Sequence, residues 1–248
     1  MVQDTGFVVP SRFCGPPESG NGGWVSGTVA AHVPTTPRRP AVTVRLASPP
    51  PLDRPLPLEV EPGPDGALAL RLLDGDHLVA SATASDDLVE DVPPAVTFEQ
   101  ARDAETRYEG LAAHPFPTCF SCGTGRDPGE ALCLRPGPLD DGTGRYAATW
   151  VPREADVPIV WAALDCPGGW SAGIAGRPMV LGTMTARVHA LPTVGEPQVI
   201  LAWQRGAAGR KHHSGSALLS PDGRLLARAE ATWIAVDPTT IRPQGAAP

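Results

Sequence analysis

The chain has 248 residues, 27 of them glycine and 30 proline, which excludes long uninterrupted helices as its main material. Hydrophobic residues make up 42%, enough to bury a sizeable core, so wholesale disorder is excluded. A formal net charge of -7 sets nucleic acid aside as a partner, and no run of about eighteen apolar residues is present to span a membrane.

The opening stretch, MVQDTGFVVPSRF, carries neither a basic segment nor an apolar core of the kind a signal peptide needs, so a cytoplasmic protein is expected. Five cysteines, Cys14, Cys119, Cys122, Cys133 and Cys166, leave one without a partner and point to reduced thiols. The punctuation predicts a helix over about 19–33, with Ser19 as N-cap and Pro34 as the stop. Strands rich in Val, Leu, Thr and Ala follow at 41–48, 56–61, 67–73 and 77–85, each bounded by Pro or Gly turns. Thr97-Phe98-Glu99-Gln100 has the form of a capping box and opens an amphipathic stretch to about Tyr108. In the second half, strands are predicted near 132–136, 144–151, 178–190, 197–205, 213–220 and 224–236, with Ser220-Pro221-Asp222-Gly223 as a hairpin turn. A second helix is expected to start at Gly168-Gly169, and the tail after Val236 is expected to fray.

These elements read as a repeat. Gly22-Gly23-Trp24-Val25-Ser26-Gly27 is answered by Gly168-Gly169-Trp170-Ser171-Ala172-Gly173, an offset of 146. VTVRLASPPPL at 42–52 is answered by TARVHALPTV from 185, and LLDGDHLVASATA by LLSPDGRLLARAEAT, which sets Ala80 against Ala227. The expected organisation is a first unit over 1–88, a linker with a short helix over 89–115, a second unit over 116–237 and a tail over 238–248.

One helix followed by consecutive antiparallel strands, done twice, predicts an α+β protein in which each helix is wrapped by a curved sheet. Cys119-Phe120-Ser121-Cys122-Gly123 with Pro128-Gly129, the Asn21-Gly22-Gly23 helix start, and Val160 to Asp165 leading into Pro167-Gly168-Gly169-Trp170 resemble segments of the hotdog-fold thioesterase-like superfamily. The resemblance covers about residues 7–236 and implies a double hotdog acting on an acyl-CoA or acyl-carrier-protein thioester. Coenzyme A then enters as part of the substrate and no separate cofactor is expected. It also implies a homodimer of chains. The family usually carries an acid about two turns beyond the double glycine, and neither Trp24 to Val33 nor Trp170 to Ile174 contains one.

A helix N-terminus presents unpaired N–H groups and the positive end of the helix dipole. Gly22 and Gly23 can therefore hold a thioester oxygen, with Asn21 orienting it; the alternatives are tight packing for the glycines and a cap for Asn21. Asp165, three residues before Gly168, is the candidate general base, or else the N-cap of the second helix with Pro167 in its first turn. Gly168, Gly169, Trp24 and Trp170 are candidate substrate contacts, with core packing as the alternative for the tryptophans. Arg210 and Lys211, in the basic stretch 205–213, can steer coenzyme A phosphates or simply solvate a hairpin tip.

Two further patterns carry less. Gly169-Trp170-Ser171-Ala172-Gly173 fits the nucleophile-elbow pattern, but Pro167 interrupts the strand an elbow needs. Cys119-x-x-Cys122 with Cys133, Cys166 or His114 offers zinc ligands, but no second such pair completes the set, so no metal is expected. Hydrolysis is the leading function. The alternatives are a non-hydrolytic hotdog binding an acyl or polyketide-like ligand, a cyclase or dehydratase in a biosynthetic pathway, or a structural module that binds a partner.

Overall fold

Ten of the twelve strands join one antiparallel sheet in the computed structural model, which describes residues 7–63, 68–89 and 91–237. In chain order the strands are β1 (Phe7–Val8), β2 (Ala41–Leu46), β3 (Pro55–Leu56), β4 (Leu58–Pro62), β5 (Leu68–Asp74) and β6 (His77–Ser85). Then follow β7 (Gly137–Pro138), β8 (Tyr146–Trp150), β9 (Met179–Val188), β10 (Gln198–Ala208), β11 (Lys211–Leu219) and β12 (Leu225–Ala235). The helices are α1 (Gly22–Ala30), α2 (Phe98–Glu105) and α3 (Val157–Ser171). The sheet runs β4-β5-β6-β2-β9-β12-β11-β10-β8-β7, while β1 and β3 form a separate ribbon.

The order is symmetric about its centre. Outward from the β2/β9 junction, the first half reads β2-β6-β5-β4 and the second β9-β12-β11-β10, the same sequence of connections. At the junction Thr43 opposes Thr185, 142 residues on, with their hydroxyl oxygens 2.8 Å apart. Leu46 opposes Ala80, and Val188 opposes Ala227, so the predicted correspondence of those two alanines holds. The arrangement is a double hotdog: two helix-and-sheet units sharing one continuous sheet, with α1 and α3 packed together on the same face.

The helices depart from expectation. α1 is shorter than predicted and is capped by Asn21, whose Oδ1 accepts from the Trp24 N–H at 2.8 Å; Ser19 instead closes a turn on the Pro16 carbonyl. α3 starts eleven residues before the double glycine, capped by Asp156 (Oδ1 to the Ile159 N–H, 2.8 Å), with Pro158 in its first turn. Asp165 is thus not a cap, and Gly168-Gly169 lies near the helix end. The GGW match in sequence therefore joins places that do not correspond in space.

Pro167 sits inside α3, where it removes one N–H from the ladder. The carbonyl this leaves without its helical partner is that of Ala163, and the carbonyls on either side, of Ala162 and Leu164, accept the hydroxyls of Ser121 and Ser216, each at 2.8 Å. The helix is buried from Ile159 to Ser171 because the sheet covers one side and α1 the other.

Elsewhere the punctuation reads true. The Thr97/Gln100 capping box is formed in both directions (2.8 and 3.1 Å), and α2 buries Ala101 and Ala104 beside β8. Gly223 turns the Ser220 hairpin at φ +81°. Residues 132–136 are irregular, not a strand; Leu132 and Leu134 bond the Phe120 and Ser121 carbonyls, and Cys133 has φ +52°. The tail expected to fray lies outside the described residues. Among the described residues no helix is long and apolar enough to cross a membrane.

Candidate active site

The site forms where α1 begins and α3 passes beneath it. Gly23 has no room for a side chain: a Cβ there would stand against the Asp165 Cβ, 2.7 Å from the Trp161 carbonyl oxygen and 3.0 Å from the Ala162 Cα. Gly27, one turn on, would meet the Pro158 Cα at 2.7 Å. The two glycines let the backbones of α1 and α3 touch, which brings the Gly23 N–H to 2.9 Å from Asp165 Oδ2.

Gly23 and Asp165 are also 142 residues apart, the same separation as the threonine pair at the sheet junction. They therefore occupy corresponding places in the two units, close to the pseudo-two-fold axis. One unit supplies an N–H donor there, the other a carboxyl.

Asp165 is 2% exposed, and its Oδ1 has no hydrogen-bond partner. Burial pushes its carboxyl up to about 7, opposed by the Gly23 N–H and the Asn21 amide and aided by the nearby Cys119. Asn21 Nδ2 reaches the Cys119 sulfur at 3.6 Å. Of the first-turn donors of α1, Gly23 is taken by Asp165 and Trp24 by Asn21, which leaves the Gly22 N–H without an acceptor among the described residues.

Asn21, Gly22 and Asp165 line a pocket of about 480 Å³ whose walls are mostly apolar. The loop before α1, the segment after β2, Met179 to Gly182 of β9, and Trp233 and Ile234 of β12 complete it. Among the described residues no lysine or arginine lines it. Trp170, fully buried, forms part of the floor with Cys119, Cys122, Cys166 and His114. His114 Nδ1 accepts from the Phe116 N–H at 2.9 Å, which leaves the proton on Nε2 to donate to the Cys122 carbonyl at 3.0 Å. Burial holds this ring neutral by lowering its pKa.

The other sequence candidates lie off the pocket wall. Trp24 stacks on Phe13 with centroids 4.0 Å apart. Gly168 gives way to Ser214 of β11 and Gly169 to the Trp233 ring, so both serve helix-to-sheet packing. Arg210 and Lys211 are exposed at the β10–β11 turn, and Lys211 is in register with the wall residue Ile234. Ser171 of the elbow-like pattern is buried in the last turn of α3, donating to the Gly168 carbonyl at 2.9 Å.

Of the sequence candidates, Asn21, Gly22, Asp165 and Trp170 meet at this pocket, and Cys119, Cys122, Cys166 and His114, read from the sequence only as an incomplete ligand set, join Trp170 on its floor. Cys119-x-x-Cys122 was visible as a pattern; its meeting with Cys166, 44 residues beyond Cys122, depends on the path of the loop under α3.

Neither a protein-family model nor a curated protein sequence matches the chain. Its fold is similar to several solved structures. A hotdog-fold protein of unknown function from Alicyclobacillus acidocaldarius is 19% identical, with 94% of this chain and 92% of that one covered at a TM-score of 0.63. An acyl-CoA thioesterase II from Mycobacterium marinum is 13% identical, covering 92% and 93% at 0.56. The dehydratase domain of PpsC from Mycobacterium tuberculosis, solved with C12:1-CoA, is 12% identical, covering 93% and 90% at 0.55. At these identities the likeness is one of fold.

Proposed function

We propose that the protein hydrolyses an acyl thioester, of coenzyme A or an acyl carrier protein. One observation carries this: a buried carboxyl fixed through one oxygen by the Gly23 N–H, its other oxygen unpartnered, beside a free helix N-terminal donor on an apolar pocket. The acyl chain lies against the apolar wall and the thioester oxygen takes the Gly22 N–H. Asp165 accepts a proton from water as its oxygen adds to the carbonyl carbon; the carbon–sulfur bond then breaks and the sulfur leaves with a proton from Asp165. Asn21 orients the carbonyl by holding the first turn in place. Gly23 is thus a positioning residue, its N–H spent on the carboxylate.

The cyclase or dehydratase reading calls for an acid and a base acting on one substrate. Of the other titratable side chains of ordinary acid–base use on the wall, His114 has both ring nitrogens occupied and Glu18 is exposed on the loop before α1, which favours hydrolysis.

The test is thiol release from acyl-CoAs of graded chain length, with acyl binding followed in parallel. Asp165→Asn keeps the shape and is expected to lose roughly 10²–10⁴ in turnover while binding persists. Turnover retained in the variant removes Asp165 from the mechanism, and no turnover by the wild type on any chain length refutes hydrolysis.

A further inference from the structure

The floor of the pocket holds a group of thiols that hydrolysis does not use. Cys119 and Cys122 come from the loop after α2 and Cys166 from α3; all three are buried, and their sulfur atoms lie within 4.8 Å of one another. We propose that these three cysteines form a zinc site, with three thiolate ligands and a fourth coordination position open to the pocket.

The spacing fits. Thiolates bound at about 2.3 Å in a tetrahedral array stand roughly 3.7 Å apart, and the Cys119 and Cys166 sulfurs are 3.6 Å apart. A van der Waals pair of thiols meets at a similar distance, so spacing alone decides nothing. The surrounding donors decide it. Asn21 Nδ2 approaches the Cys119 sulfur at 3.6 Å. Trp170 Nε1, on the same floor as Cys122, is buried with no hydrogen-bond partner. An apolar packing of neutral thiols needs neither donor, whereas a cluster of thiolates uses such N–H groups, which stabilise negative charge on sulfur.

The turn is built for the purpose. Gly123 closes it with its N–H on the Cys119 carbonyl at 2.8 Å, and a Cβ there would meet the Pro117 and Cys119 carbonyl oxygens. Two cysteines separated by two residues on such a turn present both sulfurs to one point. His114 is not the fourth ligand, since both ring nitrogens are engaged. Cys14 and Cys133 are bonded elsewhere, to the Thr118 and Arg126 carbonyls. All three ligand cysteines lie on the pocket wall, so the remaining position is left to water or a ligand donor atom. Three protein ligands with one open position is the pattern of zinc sites that bind exchangeable groups.

The experiment uses the full chain purified under reductant, stripped of metal and titrated with Co²⁺, whose thiolate charge-transfer band counts bound sulfurs. The expected result is one Co²⁺ per chain, displaced by Zn²⁺, with a band of three-thiolate intensity. Cys166→Ser is expected to lose about a third of that intensity, one thiolate of three, and Cys133→Ser none. Should Cys166→Ser fail to fold, the wild-type stoichiometry and intensity still decide. No band, a band of two thiolates or fewer, or a band removed by Cys133→Ser overturns the site. So does a Cys119–Cys166 disulfide that persists in the reduced protein. None of these readouts depends on thioester turnover, so the metal site and the hydrolase reading stand or fall separately.

Discussion

Gly23→Ala sets two effects of opposite sign against each other. Alanine is the better helix former by up to about 1 kcal/mol, so on an open helix face the change would stabilise. Here the added methyl stands against the Asp165 Cβ and 2.7 Å from the Trp161 carbonyl oxygen, both on a helix that cannot retreat because the sheet lies behind it. Overpacking of this kind costs about 1–3 kcal/mol, more than the propensity gain. Contacts this close to backbone atoms put the cost in the upper part of that range, and the net loss of about 1–2 kcal/mol should lower the melting temperature by roughly 2–8 °C for a chain of this size. Moving α1 outward also pulls the Gly23 N–H from Asp165 Oδ2, so turnover on an acyl thioester should fall with stability. Gly27→Ala separates the two consequences: it meets the Pro158 Cα at 2.7 Å but lies one turn from the carboxyl, so it should match the stability loss with a smaller loss of turnover. Thermal melts and thiol-release assays of both variants suffice. An unchanged or raised melting temperature for Gly23→Ala would refute the close-contact argument.

Two further outcomes follow from charge. Reversing Arg210 and Lys211 to glutamate should raise KM for acyl-CoA with little change in kcat, the effect growing at low ionic strength; an unchanged KM takes the β10–β11 turn out of substrate binding. Asp87 lies between Arg187 of β9 and Arg228 of β12. Its partial burial works against ionisation, but the Arg228 hydrogen bond and the two guanidinium charges hold its carboxyl below the ordinary value. A depressed folded-state pKa gives stability that is present above the unfolded value near 4 and is lost as pH falls through the folded one. Denaturant unfolding should therefore show wild type more stable than Asp87→Asn at pH 7, with the gap closing toward pH 3; a gap that does not change with pH would assign it to packing instead.

The strands were readable because their Val, Leu and Thr runs end at Pro and Gly turns, and the Thr97 capping box because its two side chains act within four residues. α3 was not. It is apolar on every side, being held between α1 and the sheet, so it carries no amphipathic period to mark its extent. Pro167 and the double glycine then look like a helix start, whereas they lie inside α3, whose carbonyls on either side of the Pro167 gap take hydroxyls of Ser121 and Ser216 from far away in sequence. The same error misplaced Asp165 as a cap while still selecting it as the acid. Its relation to Gly23 could not be read, because the repeat aligned on GGW at 146, and the operative separation is 142.

That separation bears on why two units share one chain. Beside a two-fold axis a residue faces its own counterpart, and a dimer of identical subunits must place the same side chain on both sides. Two carboxyls would repel across the Gly23–Asp165 contact, and two glycines would leave nothing to titrate. Once the units are joined, each copy can change alone, and the axis becomes a place for unlike groups: a bare backbone on one side admits the acid from the other. The pairing also limits the molecule to one such acid, since the glycine that makes room for it cannot also be an aspartate.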